Sequence, residues 1–215
     1  MKRYNGHTKY TLKDGTLVPG VTTILKLLSK EALVGWANRL GLENIEVRRY
    51  VDELADIGSL AHYFVDCDVK GKPRDPETLK DYTENHRVGA EICFNKFLEW
   101  KKETGFEPIK SEINLVSEKY RFGGTVDLYG LRHNKKTLVD FKTGNSIYPE
   151  AFTQVSAYKV LLLENGYEVE DQRIIRIGRS ENEGFEDRYS PSPMLHFERF
   201  KKLLDVYNIN KELGL

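Results

Sequence analysis

The chain has 215 residues, 33 of them Lys or Arg and 33 Asp or Glu, with two cysteines and 11% aromatic side chains. That length suits one compact unit with a sizeable core, and a hydrophobic share of 40% excludes global disorder. Zero net charge excludes a globally cationic nucleic-acid binder, and Cys67 and Cys93 are too few for a zinc ribbon or a four-cysteine iron–sulfur site. They also give no disulfide framework, so a reducing cytoplasm is the default location. No apolar run approaches the ~20 residues of a membrane helix, and no apolar leader precedes Tyr10. Charge is uneven, however. Residues 1–50 carry nine Lys and Arg against four Asp and Glu, which fits either a phosphate-facing strip or a solvated surface.

In chain order, Thr22 to Ser29 is a short apolar stretch after Pro19-Gly20, and Glu31 to Leu40 is a candidate helix with Gly41 placed to end it. Ile57, Leu60, Ala61, Phe64 and Val65 recur at helical spacing, ending near Gly71-Lys72-Pro73. Residues 77–103 read as one long helix closed by Gly105. The period then changes from 3.6 to 2. Pro108 to Ser117 alternates, with Ile109, Ile113 and Leu115 on one side and Lys110, Glu112 and Asn114 on the other. Phe122 to Leu131 and Thr137 to Lys142 are two further strands joined by the polar turn at His133-Asn134. Pro149 suits the first turn of a helix over 150–164, and Asn165-Gly166 suits its end. Arg173 to Arg179 predicts a fourth strand, Glu181 to Asp187 an acidic solvated loop, and Leu195 to Leu204 a final helix. The order predicts an α/β or α+β fold, a mixed central sheet flanked by helices. Residues 1–105 would form a helical lobe and 106–215 the core.

Val139-Asp140-Phe141-Lys142-Thr143-Gly144 is the strongest chemical feature. Alternate strand side chains share a face, so Asp140 and Lys142 project together. A surface ion pair is the plain alternative. Asp127 lies in an otherwise apolar strand, where Asp is disfavoured. In an antiparallel meander it falls beside Asp140, and a hard divalent cation relieves the repulsion of two such carboxylates. Glu112, on the preceding strand, is a third acid pointing to the same region, or an exposed strand residue. Gln154 and Tyr158 share one helix face, four residues apart, where they can hold a phosphate or simply rim a packed helix. His62 lies four residues before Asp66, so an ordinary His–Asp pair is open to it. His7, His86, His133 and His196 lack such company and read as surface residues. Tyr4, Tyr10, Trp36 and Tyr50 are aromatic candidates for base stacking or plain filler. Gly15 to Thr22 imitates a phosphate-loop spacing without its lysine.

Gly124-x-x-Asp127, Asp140-x-Lys142 and Gln154-x-x-x-Tyr158, in that order and spacing, resemble the PD-(D/E)XK nuclease superfamily in its RecB-type exonuclease branch. Gly58-x-x-x-His62 fits the metal-binding histidine that the branch often takes from its N-terminal lobe. Pro19 to Leu25 is similar to a segment of the mitochondrial genome maintenance exonuclease and its phage relatives. The likeness covers roughly residues 18–165. Val126 stands where a Pro is usual, Asp140 where a Glu often is, and Gly20 where relatives tend to have Ser. The resemblance implies a Mg²⁺-dependent DNA exonuclease, with Mn²⁺ as a substitute, of bacterial or phage-infected cytoplasm. Its partner would be DNA that is single-stranded or has a free end, with a role in recombination, repair or replication. A double-strand exonuclease, an endonuclease or a non-catalytic binding module of the same fold is the alternative. It further implies Asp127, Asp140, His62, Glu112 and the Phe141 carbonyl as metal ligands. Lys142 would act at the attacking water, Gln154 and Tyr158 on the strand, and Thr143 as a phosphate donor.

Overall fold

The structure is a computed structural model that describes residues 8–28 and 31–215. Tyr4, His7 and Ser29, singled out above, lie outside the described residues. A short hairpin, β1 (Tyr10–Thr11) and β2 (Leu17–Val18), leads into helices α1 (Val21–Leu25), α2 (Glu31–Leu42), α3 (Val47–Val69), α4 (Pro76–Lys80) and α5 (Glu84–Thr104). Strands β3 (Glu107–Ser117), β4 (Phe122–Arg132) and β5 (Lys135–Thr143) follow. Then come α6 (Pro149–Glu164), β6 (Asp171–Ile177), β7 (Phe185–Tyr189) and α7 (Pro193–Leu213). No described helix is long and apolar enough to cross a membrane.

The five longer strands form one sheet in the order β3-β4-β5-β6-β7. The first three are an antiparallel meander, β6 runs parallel to β5 after the α6 crossover, and β7 returns antiparallel at the edge. Helices cover both faces. On one, Leu60, Phe64, Phe97 and Trp100 of α3 and α5 pack on Leu128, Val139, Phe141 and Ile175. On the other, Ile24, Val155, Leu161 and Phe200 pack on Phe122, Val126, Leu138 and Ile174. Burying each of these large side chains contributes ~1.5–3 kcal/mol, which explains why the central strand β5 is buried from Thr137 to Phe141. A charged residue in that run sits in the driest part of the sheet. Asp140 is such a residue.

Several boundaries differ from the sequence reading, each for a local reason. The long helix over 77–103 is two, because Thr83 caps a new start by accepting from His86 N while His86 Nδ1 accepts from Thr83 N. Gly41 lies inside α2 instead of ending it. Ile109 is exposed at a β-bulge between Pro108 and Lys110, so Ser111, Ile113 and Leu115 carry the inward face. The acidic loop becomes β7 from Phe185 onward, where Glu186 and Asp187 find Arg176 and Arg173 on β6. His86 is buried, its Nε2 2.5 Å from Glu53 Oε2, and is no surface residue.

Candidate active site

Strand β5 delivers Asp140 and Lys142 to one end of the sheet. Lys142 Nζ lies 3.0 Å from Asp140 Oδ1 and 2.9 Å from Oδ2, and the Asp140 side chain is fully buried. Asp140 Oδ2 has that ion contact but no aligned hydrogen bond. Burial pushes the Asp140 carboxyl up to about 6; the ammonium of Lys142 opposes the shift and the nearby Asp127 charge adds to it. For Lys142, burial works against the charge, but Asp140 and Asp127 outweigh it and hold the ammonium above its ordinary value.

Strand β4 sets Asp127 beside this pair. Leu128 faces Val139 across the ladder, so the next step along both strands brings Asp127 alongside Asp140. Asp127 Oδ2 accepts from Phe141 N at 2.8 Å, which ties the two strands together where their own ladder stops. Burial raises the Asp127 carboxyl too, against the pull of His62 and Lys142.

Glu112 reaches the same place by a different device. The β3–β4 ladder runs Ser111 to Leu128 and then Ile113 to Val126, with Glu112 and Asp127 left between. Glu112 there has a φ of +49°, the left-handed region that costs a non-glycine residue of order 1 kcal/mol. The local kink turns both carboxylates out of the sheet and toward α3.

Helix α3 supplies the histidine. A Cβ on Gly58 would lie 2.7 Å from Thr143 Oγ1, so the missing side chain is what lets α3 approach the end of β5. One turn later His62 Nδ1 lies 3.4 Å from Glu112 Oε1 and 3.8 Å from Asp127 Oδ1, with its ring edge-on to Phe141 at 4.8 Å. Burial favours the neutral ring, yet Asp127 and Glu112 prevail and the imidazole is raised to about 9. Asp66 is not its partner; it bonds Ser111 Oγ and Lys70 instead.

Donor atoms of His62, Glu112 and Asp127 lie within 4.8 Å of one another. Carboxylates that burial and mutual repulsion push upward are the surroundings a divalent cation relieves. The residues present therefore fit such an ion. Above them opens a cavity of about 530 Å³ bordered by His62, Glu112, Asp127, Lys142, Gln154 and Tyr158. Gln154 Nε2 donates to Tyr158 Oη at 2.9 Å, and burial with Asp127 and Asp140 keeps that phenol protonated. Asp140 is fully buried and does not border the cavity. Phe141 enters through its backbone N–H and its ring. Trp36 and Tyr50 pair with each other at 6.1 Å, outside the cavity wall. Thr143 packs against Gly58, and its carbonyl accepts from Arg179 Nη2 at 2.7 Å.

Sequence reasoning named Tyr10 among its stacking candidates but missed Lys9 and the hairpin that carries both. The two residues border the same cavity, and Tyr10 Oη lies 2.8 Å from Thr125 Oγ1. Gly123 makes room for the ring: a Cβ there would lie 2.3 Å from Tyr10 Cγ.

No protein-family model and no curated protein matches the chain. Among solved structures, an inferred exonuclease from Eubacterium rectale aligns with a TM-score of 0.51 at 13% identity, over 72% of this chain and 65% of that one. The two share a fold, a mixed sheet flanked by helices. An alkaline exonuclease from Laribacter hongkongensis also aligns, with a TM-score of 0.42 at 14% identity over 75% of this chain and 86% of that one. The chain thus spans just under two thirds of the Eubacterium protein.

Proposed function

We propose that this chain is a divalent-metal-dependent deoxyribonuclease that hydrolyses phosphodiester bonds from a free or single-stranded DNA end, in recombination, repair or replication. The observation that carries the reading is the convergence of His62, Glu112 and Asp127 near the buried Asp140 and its partner Lys142. Mg²⁺ or Mn²⁺ would be held by Asp127, Asp140, His62 and the Phe141 carbonyl, with Glu112 holding a second ion or its waters. Such an ion supplies an activated water and neutralises charge on the phosphate.

The chain's own residues divide the remaining work. Lys142 is held charged by two carboxylates, so it suits charge stabilisation on the reacting phosphate, or orienting the water, better than taking a proton from it. Gln154 and Tyr158 are buried, bonded to each other and kept protonated at the phenol, so they hold fixed donors against the incoming strand. Asp140 anchors Lys142 from below.

The test is digestion of end-labelled single-stranded and blunt duplex oligonucleotides and a covalently closed circle, with Mg²⁺ or with a chelator. Cleavage of linear DNA only, and only with metal, is the expected result. Efficient nicking of the circle overturns the free-end requirement. No cleavage of any substrate at any metal concentration overturns the enzyme itself.

A further inference from the structure

The cavity over the carboxylates has two walls of different origin. One carries the residues assigned above. The other is the N-terminal hairpin with the segment that leads into α1: Lys9, Tyr10, Leu17, Val18 and Pro19 all border it. The hairpin is fixed to the sheet. Gly123 N donates to Pro19 O at 2.9 Å, Lys13 N donates to Glu118 Oε1 at 2.9 Å, and Gly20 bridges to Gly123 in parallel register. Tyr10 locks it from inside, its ring filling the space over Gly123 and against Gly20, where a Cβ would meet it at 2.9 Å. Its hydroxyl joins Thr125 Oγ1, which donates to Asn114 Oδ1 at 2.6 Å, and Glu112 and Asp127 act on the phenol electrostatically. A surface turn with no task does not need a glycine in the neighbouring strand to make room for its aromatic ring.

Lys9 precedes Tyr10 at the cavity mouth. It is exposed and has no carboxylate partner among the described residues. An uncompensated ammonium at the mouth, an aromatic ring and an apolar strip behind it, and a metal-fitting acid cluster opposite make a compartment for an anionic, flat-faced ligand.

We propose that the hairpin is the strand-holding wall of this cleft: Lys9 contacts the backbone phosphate next to the one hydrolysed, and Tyr10 fixes the wall on which that nucleotide rests. This rests on the deoxyribonuclease reading and names residues for its substrate grip. Lys13 offers an internal control. It sits on the same hairpin with the same charge and exposure, but borders a separate depression with Glu118 and Asn165.

The experiment compares Lys9→Ala, Lys13→Ala and Tyr10→Ala with the unaltered chain on an end-labelled oligonucleotide, over a range of salt, with Mn²⁺-induced shifts in melting temperature measured alongside. Lys9→Ala is expected to raise KM about tenfold with kcat within about twofold, and to reduce the slope of log KM on log salt by about one. Tyr10→Ala is expected to raise KM by a similar factor while keeping the Mn²⁺ shift. Equal behaviour of Lys9→Ala and Lys13→Ala overturns the proposal, even if Tyr10→Ala fails to fold. Loss of the Mn²⁺ shift in Tyr10→Ala would make the hairpin a support of the metal site instead, which also overturns it. An unaltered chain that cleaves nothing removes the deoxyribonuclease reading and this inference together.

Discussion

Two clusters of charged side chains sit against the same sheet, and they are built on opposite plans. At the β6–β7 end, Asp171 and Asp187 face Arg132 and Arg173, two acids to two guanidiniums. Asp171 Oδ2 is 2.9 Å from Arg173 Nε, Asp187 Oδ2 is 3.3 Å from Arg132 Nη2, and Trp100 Nε1 donates to Asp187 at 3.0 Å. Each charge has an opposite beside it, and the Trp100 contact ties α5 to the sheet edge. At the other end, Glu112, Asp127 and Asp140 share one lysine and one histidine, and burial pushes two of the three acids upward. One cluster matches acids to bases one for one. The other sets three acids against two bases. Buried charge alone therefore does not mark a site; an imbalance that the protein's own residues leave uncorrected does.

Substitutions should separate the two plans. The largest effect is expected from Asp127→Asn, Asp140→Asn or Lys142→Ala, each lowering the rate on labelled DNA about a thousandfold or more while circular dichroism stays unchanged. Near-normal turnover in all three would reduce the acid-rich end to another structural joint. Next, Asp187→Ala leaves the Trp100 N–H without its acceptor and Arg132 and Arg173 with Asp171 alone, and should cost about 3 kcal/mol in denaturant unfolding with activity per folded molecule unchanged. A smaller effect of opposite sign is expected at Glu112. Asn tolerates the left-handed backbone better, so Glu112→Asn should gain up to about 1 kcal/mol of stability while weakening the Mn²⁺-induced rise in melting temperature.

The smallest effect is in pH. Asp140 is raised to about 6 in the folded chain, so its contribution to metal-free stability is present at low pH and fades as pH rises from about 4 to about 6. His62 is raised to about 9, so its contribution holds below about 6.5 and is lost as pH climbs through 9. A metal needs Asp140 deprotonated and His62 neutral, so the Mn²⁺ shift should grow between pH 6 and 9, with proton release seen by calorimetry in two buffers. A shift independent of pH would take His62 out of the ligand set.

Most of the fold was legible because periodicity reports which side of an element is dry. The meander, the α6 crossover and β6 follow from it, as does the placing of Asp127, Asp140 and Lys142 at one sheet end. What was not legible has physical causes. β7 alternates Glu186 and Arg188 with Phe185 and Asp187, an edge strand held by cross-strand ions that reads as a polar loop. The hairpin strands are two residues each, below any window in which a period shows. Alternation already pointed Glu112 to the region of Asp127, but did not show the left-handed backbone by which it gets there. Tyr10 was named as an aromatic candidate but its place was not, and Lys9 was missed outright, because the cleft they border exists only once Gly123 accepts the Tyr10 ring.

The account stands or falls on whether the acid-rich end takes a divalent cation. Free Mn²⁺ counted by electron paramagnetic resonance during titration of the chain at pH 8, beside Asp127→Asn, measures this directly. A saturable site in the unaltered chain that disappears in Asp127→Asn is the predicted result. Mn²⁺ that stays free with both proteins, or binds both equally, contradicts it.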